Sequence, residues 1–94
     1  YDIELQPDGK IIVGGDFTSI DNTRKNRIAR LNASGSVDTL FNPDINGTVY
    51  SIDIQPDGKI IAGGNFTLVN HGARSRIVRL NPDGSVDPSF VPGF

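Results

Sequence analysis

The sequence predicts an all-β fold of two antiparallel four-stranded meanders in tandem, and three observations carry that expectation. The first is a repeat without a gap. Gln6-Pro7-Asp8-Gly9-Lys10-Ile11-Ile12 returns 49 positions later at Gln55 to Ile61, and the offset holds for Phe17-Thr18 on Phe66-Thr67, Arg30-Leu31-Asn32 on Arg79-Leu80-Asn81, and Gly35-Ser36-Val37-Asp38 on Gly84-Ser85-Val86-Asp87. The second is tight-turn chemistry at matching places, Pro7-Asp8-Gly9, Pro56-Asp57-Gly58 and Pro82-Asp83-Gly84. The third is period-two alternation of apolar and polar residues, with no helical periodicity to compete. A four-stranded meander repeated every 40 to 50 residues or so is the signature of a β-propeller blade, which places blade one at residues 1–45 and blade two at 46–94.

The elements follow in order. Val49 to Gln55 sets Tyr50, Ile52 and Ile54 against Val49, Ser51, Asp53 and Gln55, the alternation of a first strand. Pro56-Asp57-Gly58 then reverses the chain, with proline presetting φ and glycine free to take positive φ. A second strand runs from Lys59 through Thr67, and its Ile60-Ile61 pair, like Ile11-Ile12, suits a blade packed on both faces. Gly14-Gly15 and Gly63-Gly64 mark a bulge or a close backbone approach. Ser19 to Asn26 and Leu68 to Ser75, where the copies differ most, read as surface loops. Arg76 to Asn81 is the third strand, and Ser85-Val86-Asp87 with Phe90 a short fourth. In the first copy these strands fall near residues 1–6, 10–18, 27–32 and 36–41. Phe17, Phe66, Ile12, Ile61, Leu31, Leu80, Phe41 and Phe90 are expected in the core, because a large apolar group recurs at each place.

Composition excludes several classes. The net charge of −2, with charged residues forming 21% of the chain and no run of one sign, provides no attraction for phosphate backbones or anionic lipid. Nucleic acid and membrane insertion are therefore not expected. The absence of cysteine removes disulfides and thiolate metal sites. Two copies fall short of the roughly three that a stable repeat array needs. The chain opens at Tyr1, opposite Tyr50, so it reads as a piece of a longer array or as a subunit whose copies complete one another.

Candidate chemistry is sparse. Asn81, Asp83, Gly84 and Asp87 have the oxygen-rich, glycine-turned look of part of a calcium loop, but Asn32, Ser34, Gly35 and Asp38 are one carboxylate poorer. A hairpin turn whose side chains bond local amides is the simpler reading. Arg30 with Asp38, and Arg79 with Asp87, are expected to face each other across a turn and brace the outer hairpin. An anion site on Arg27 and Arg30 is weaker, because alternation points them to opposite faces. His71, the single histidine, has Asn22 in the first copy and reads as a solvated loop residue. Thr18, Thr67, Ser36 and Ser85 recur without a base beside them, so no triad is predicted. No catalytic, cofactor-binding or metal-ligating residue is assigned.

The ordered run Gln55-Pro56-Asp57-Gly58-Lys59-Ile60-Ile61, Gly63-Gly64, Phe66-Thr67, Arg76-Ile77, Arg79-Leu80-Asn81, Gly84-Ser85-Val86-Asp87 and Phe90, present in both copies, resembles the delta-60 repeat of bacterial propeller-like proteins. The resemblance covers essentially the whole chain. It implies tandem blades in large secreted or surface-exposed bacterial proteins, and it brings no catalytic residue set. The resulting expectation is a non-enzymatic, extracellular or cell-surface structural or protein-interaction scaffold without cofactors. Its partners are further copies of itself, head to tail in a ring or filament, or adjacent repeats of a longer chain, with a surface glycan or protein as a further candidate. In such an assembly Val91 to Phe94 of one copy lies close to Tyr1 of the next. The alternatives are a carbohydrate- or calcium-binding lectin-like propeller, with Ser19 to Asn26 and Leu68 to Ser75 as site loops, and blades of a larger enzyme.

Overall fold

The computed structural model describes residues 2–20, 23–70, 72–74 and 76–90. Their strands are β1 (Asp2–Leu5), β2 (Ile11–Gly14), β3 (Ser19–Ile20), β4 (Thr23–Arg24), β5 (Ile28–Leu31), β6 (Val49–Ile54), β7 (Ile60–Gly64), β8 (Leu68–Val69), β9 (Gly72–Ala73) and β10 (Ile77–Leu80). The architecture is all-β. Strands β1, β2 and β5 form one antiparallel sheet in that order, and β6, β7 and β10 form its repeat. Among the described residues no helix is long and apolar enough to cross a membrane.

The turn residues act as their chemistry demands. Gly9, Gly58, Gly35 and Gly84 all take φ between +87° and +94°, a region that costs other residues a Cβ clash. Each amide bonds back to the carbonyl three residues earlier, as from Gly58 to Gln55 at 2.9 Å and from Gly84 to Asn81 at 2.9 Å. Asp8, Asp57 and Asp83 each accept the backbone N–H two residues on, at 2.9–3.0 Å. Such Asx bonds pin the turn.

Three details depart from the sequence expectation. The fourth strand contracts to a single bridge in each unit, Leu31 with Val37 and Leu80 with Val86, because the next residue turns its side chain inward as an ion-pair partner. The stretches expected as plain loops hold short ribbons, β3 with β4 and β8 with β9. Of the bulge or close approach expected at the glycine pair, the close approach holds at Gly64 and the bulge lies on the strand opposite, where Val49 pairs with Gly64 and Ser51 with Gly63, so Tyr50 is the extra residue. A Cβ at Gly64 would collide with the Thr48 carbonyl, which is why glycine stands across from the bulge.

The core lies between the sheets. Ile12, Ile28, Phe41, Ile45, Val49, Ile52, Ile60, Ala62, Phe66, Val69, Val78 and Leu80 form one buried cluster. Of the residues expected inside, Ile12, Phe41, Phe66 and Leu80 are buried, whereas Phe17, Leu31, Ile61 and Phe90 are only half-buried. The reason is position in the tandem. Each half-buried residue has a buried counterpart 49 positions away and lies on the side of its unit that, among the described residues, faces away from the other unit.

Candidate functional site

Strand register assigns side chains to faces, since residues directly opposite in a ladder share one face. In unit one, Asp2, Gly14 and Ile28 align, as do Glu4, Ile12 and Arg30. This face meets unit two. In unit two the facing rows are Ile52, Ala62 and Val78, with Ile54, Ile60 and Leu80. The joint therefore packs one face of the repeat against the opposite face of the next.

Close approach in the joint depends on glycine. A Cβ at Gly14 would stand 2.7 Å from both Ile52 Cδ1 and Val49 Cγ1, and one at Gly84 would stand 3.1 Å from Phe41 Cδ1. Polar bonds set the register. The Ile52 amide donates to Asp2 Oδ2 at 2.8 Å, the Thr48 hydroxyl to Asp16 Oδ1 at 3.0 Å, and Val49 N to the Gly15 carbonyl at 3.1 Å. At the outer end Arg30 Nη1 donates to the Pro82 carbonyl at 2.5 Å.

The connection from Phe41 to Thr48 belongs to the joint as much as to either sheet. Phe41, Pro43 and Ile45 are fully buried, and Ile45 forms a bridge with Val69. Asn46 Oδ1 accepts the amides of Thr67 and Leu68, both at 2.9 Å. Lys25, 2% exposed, sends its ammonium to the Phe41 carbonyl at 2.9 Å and Asn42 Oδ1 at 3.3 Å. Burial pushes the Lys25 pKa below its usual value, partly opposed by the Asp38 charge. Sequence reading missed Lys25, though a cation at its counterpart Arg74 was a signal that the place is not an ordinary loop position.

The expected arginine–aspartate pairs form, each joined by a lysine. Asp38 Oδ2 accepts Arg30 Nε at 2.8 Å and lies 3.5 Å from Lys10 Nζ. Asp87 Oδ2 accepts Arg79 Nε at 2.9 Å and Lys59 Nζ at 2.8 Å. Each guanidinium also stacks over a ring, Arg30 on Phe41 at 4.7 Å and Arg79 on Phe90 at 4.8 Å. The second carboxylate oxygen caps the following turn, on Leu40 N and on Ser89 N, both at 3.0 Å. Thus the Asp83 and Asp87 oxygens, considered above for calcium, are engaged with Ser85, Ser89 and two cations. Arg27 and Arg30 are not brought together: Arg27 Nη1 bonds the Ile45 carbonyl at 3.1 Å, away from the Asp38 cluster. His71, Tyr1 and Val91 to Phe94 lie outside the described residues.

Among the described residues two faces remain open. On unit one, Ile3 lies in a row with Val13, and Leu5 with Ile11 and Leu31; Ile3 is 69% and Leu5 70% exposed. An open depression of about 690 Å³ beside them is lined by Ile3, Val13 and Phe17. On unit two the open face carries Ile61, Gly63, Ile77 and Arg79, with Phe90 at its outer end.

A family profile described as a β-propeller domain of unknown function, DUF5122, matches residues 6–41 and 55–90. The chain belongs to this family. The two DUF5122 matches cover each unit from its first turn to the phenylalanine beneath the stacked arginine, leaving out the first strands, the connection and residues 91–94. Comparison with curated proteins and with solved structures found no match.

Proposed function

We propose that this chain is a non-enzymatic propeller module of an extracellular structural or protein-interaction scaffold, and that it works by adding blade face to blade face. The observation that carries this reading is the identity of the open surfaces. The face left open on unit one is the repeat-equivalent of the face that unit two buries in the joint, and the converse holds for unit two. Head-to-tail addition of a further copy, or of an adjacent repeat in a longer chain, covers both, and the rotation per unit decides between a ring and a filament. Burying what remains exposed of Ile3 and Leu5, 69% and 70%, would alone contribute about 2–4 kcal/mol. The sequence resemblance to the delta-60 repeat favours a bacterial surface location and brings no catalytic set.

Sedimentation equilibrium tests the scaffold reading. An average mass that rises above 10.1 kDa with concentration in the micromolar range is expected, and a constant single-chain mass counts against self-association. Surface location is tested by protease treatment of intact source cells, which should cleave the parent protein while sparing cytoplasmic markers.

A further inference from the structure

We propose, resting on that reading, that a second copy of this chain docks in the register of the internal joint. Gly63 of one copy then meets Ile3 of the next, Phe90 covers Gly35, and Arg79 reaches the Ala33 carbonyl. Each pairing has a counterpart already formed within the chain. Gly14 meets Ile52 so closely that a Cβ would lie 2.7 Å from its Cδ1; Gly63 and Ile3 are their equivalents 49 positions away. Phe41 covers Gly84, whereas a Cβ at Gly35 would have nothing within 4 Å. That is the only one of the two turn glycines left open. Arg30 uses Nη1 on the Pro82 carbonyl, and Ala33 occupies the Pro82 position in unit one. Arg79 keeps the same Nε bond to its aspartate and the same stack on its ring, so its guanidinium is held in the orientation that Arg30 uses.

The contact is heterologous: the surface given and the surface received differ, so two identical copies cannot satisfy both faces by pairing back to back. It is also weaker than the internal joint. Asp2, which accepts the Ile52 amide, is replaced in unit two by Ser51, and the equivalent donor, the Ile3 amide, already gives its hydrogen to Asp2 Oδ1 at 2.9 Å. A carboxylate acceptor makes the stronger bond. Assemblies of this kind separate into single chains on dilution while each chain keeps its own joint closed.

Complementation tests the geometry. Ile3→Arg blocks the receiving face and Ile61→Arg the giving face, with Ile77→Arg as a second giving-face variant should Ile61→Arg perturb its sheet. Circular dichroism and denaturant unfolding verify that the variants fold. Each variant alone is expected to sediment at 10.1 kDa, and an equimolar mixture at twice that mass, because one good face remains on each partner. Because the chain has no cysteine, Ile3→Cys mixed with Gly63→Cys should form an intermolecular disulfide at least about tenfold faster than Leu40→Cys mixed with Gly63→Cys. A mixture that stays at single-chain mass while wild type associates, dimerisation of Ile61→Arg alone, or equal cross-linking from Ile3→Cys and Leu40→Cys overturns the proposed register and leaves face-mediated association standing. A wild type that never exceeds single-chain mass overturns the association reading itself.

Discussion

The ring of Phe41 stands where a side chain on Gly84 would begin, with Cδ1 3.1 Å from an ideal Cβ built on that glycine. Gly84 is also held at φ +94°, so two independent reasons keep the position bare. Phe41 ends the first unit and Gly84 turns the outer hairpin of the second. Their contact, with Arg30 above the ring and its Nη1 on Pro82, locks the outer rim of the joint.

Gly14→Ala is expected to destabilise the single chain by about 1–3 kcal/mol, the usual cost of forcing atoms into a packed core. Its counterpart Gly63→Ala should cost less than about 1 kcal/mol, since its Cβ would meet chiefly Ser51 Oγ, at 2.9 Å, and a serine rotates. Urea unfolding at a concentration where only single chains are present compares the two; equal losses would mean that the joint is not close-packed at Gly14.

Phe66→Ala should cost about 3–5 kcal/mol, as expected for a fully buried ring, because Phe66 is 1% exposed. Phe17→Ala, at the equivalent place on the open face, should cost no more than about 2 kcal/mol. The same unfolding measurements decide. A loss below about 1 kcal/mol for Phe66→Ala would remove that ring from the core.

The ion-pair clusters predict acid sensitivity. The Lys59 ammonium, then the Ser89 hydroxyl and amide, hold the Asp87 carboxyl well below the usual carboxylate range. Burial pushes Asp38 upward, but the Leu40 amide, Arg30 and Lys10 outweigh it, and its pKa is also lowered. A carboxylate whose folded-state pKa lies below its ordinary value of 3.8 contributes fully above that pH, and the contribution is lost as pH falls through the folded value. Stability should therefore keep dropping below pH 3.8, and Asp87→Asn should flatten that decline in a pH series of unfolding curves. An unchanged slope in the variant would place the acid-sensitive groups elsewhere.

Arg27 and Arg76 occupy equivalent positions at φ +71° and +69°. A left-handed conformation costs a non-glycine residue roughly 1–2 kcal/mol, and glycine costs about 0.5–1 kcal/mol in chain entropy. Arg76→Gly should thus stabilise by about 0.5–1 kcal/mol, since its backbone bonds to Gly64 and Phe66 need no side chain. Thermal unfolding would show a raised midpoint; a lowered one would mean that the exposed Arg76 side chain contributes more than its backbone costs.

The turns and paired strands were legible in sequence because their signals are local. Pro56-Asp57-Gly58 forces a reversal whatever surrounds it, and alternation at Ile52 and Ile54 assigns a face. The fourth strand was not. Val37 and Val86 alternate correctly with their neighbours, but the backbone past them follows Asp38 and Asp87 into their cation clusters, and that choice depends on Lys10 and Lys59 across the sheet. The left-handed Arg27 carries no local signal, since glycine or asparagine would be the expected residue there. Nor does sequence distinguish Ile12 from Ile61. Both follow an identical isoleucine, and only their place in the tandem buries one and leaves the other half-covered. The Arg30–Asp38 pair was readable from its spacing, while the lysine in each cluster and the buried Lys25 emerge only from contacts across strands.

The connection from Phe41 to Ile45 ties completion of the first unit to the second, and this sets an order on synthesis. When Phe41 leaves the ribosome, the turn at Gly84 that will cover its ring has not yet been translated; at about 5–20 residues per second it follows some 2–9 s later. Over that interval the Phe41 ring has Arg30 on one side but not Gly84 on the other, and Ile45 lacks its bridge to Val69. Each later unit closes its predecessor and opens the same gap at its own end, and an array of such units matures one joint behind its own translation.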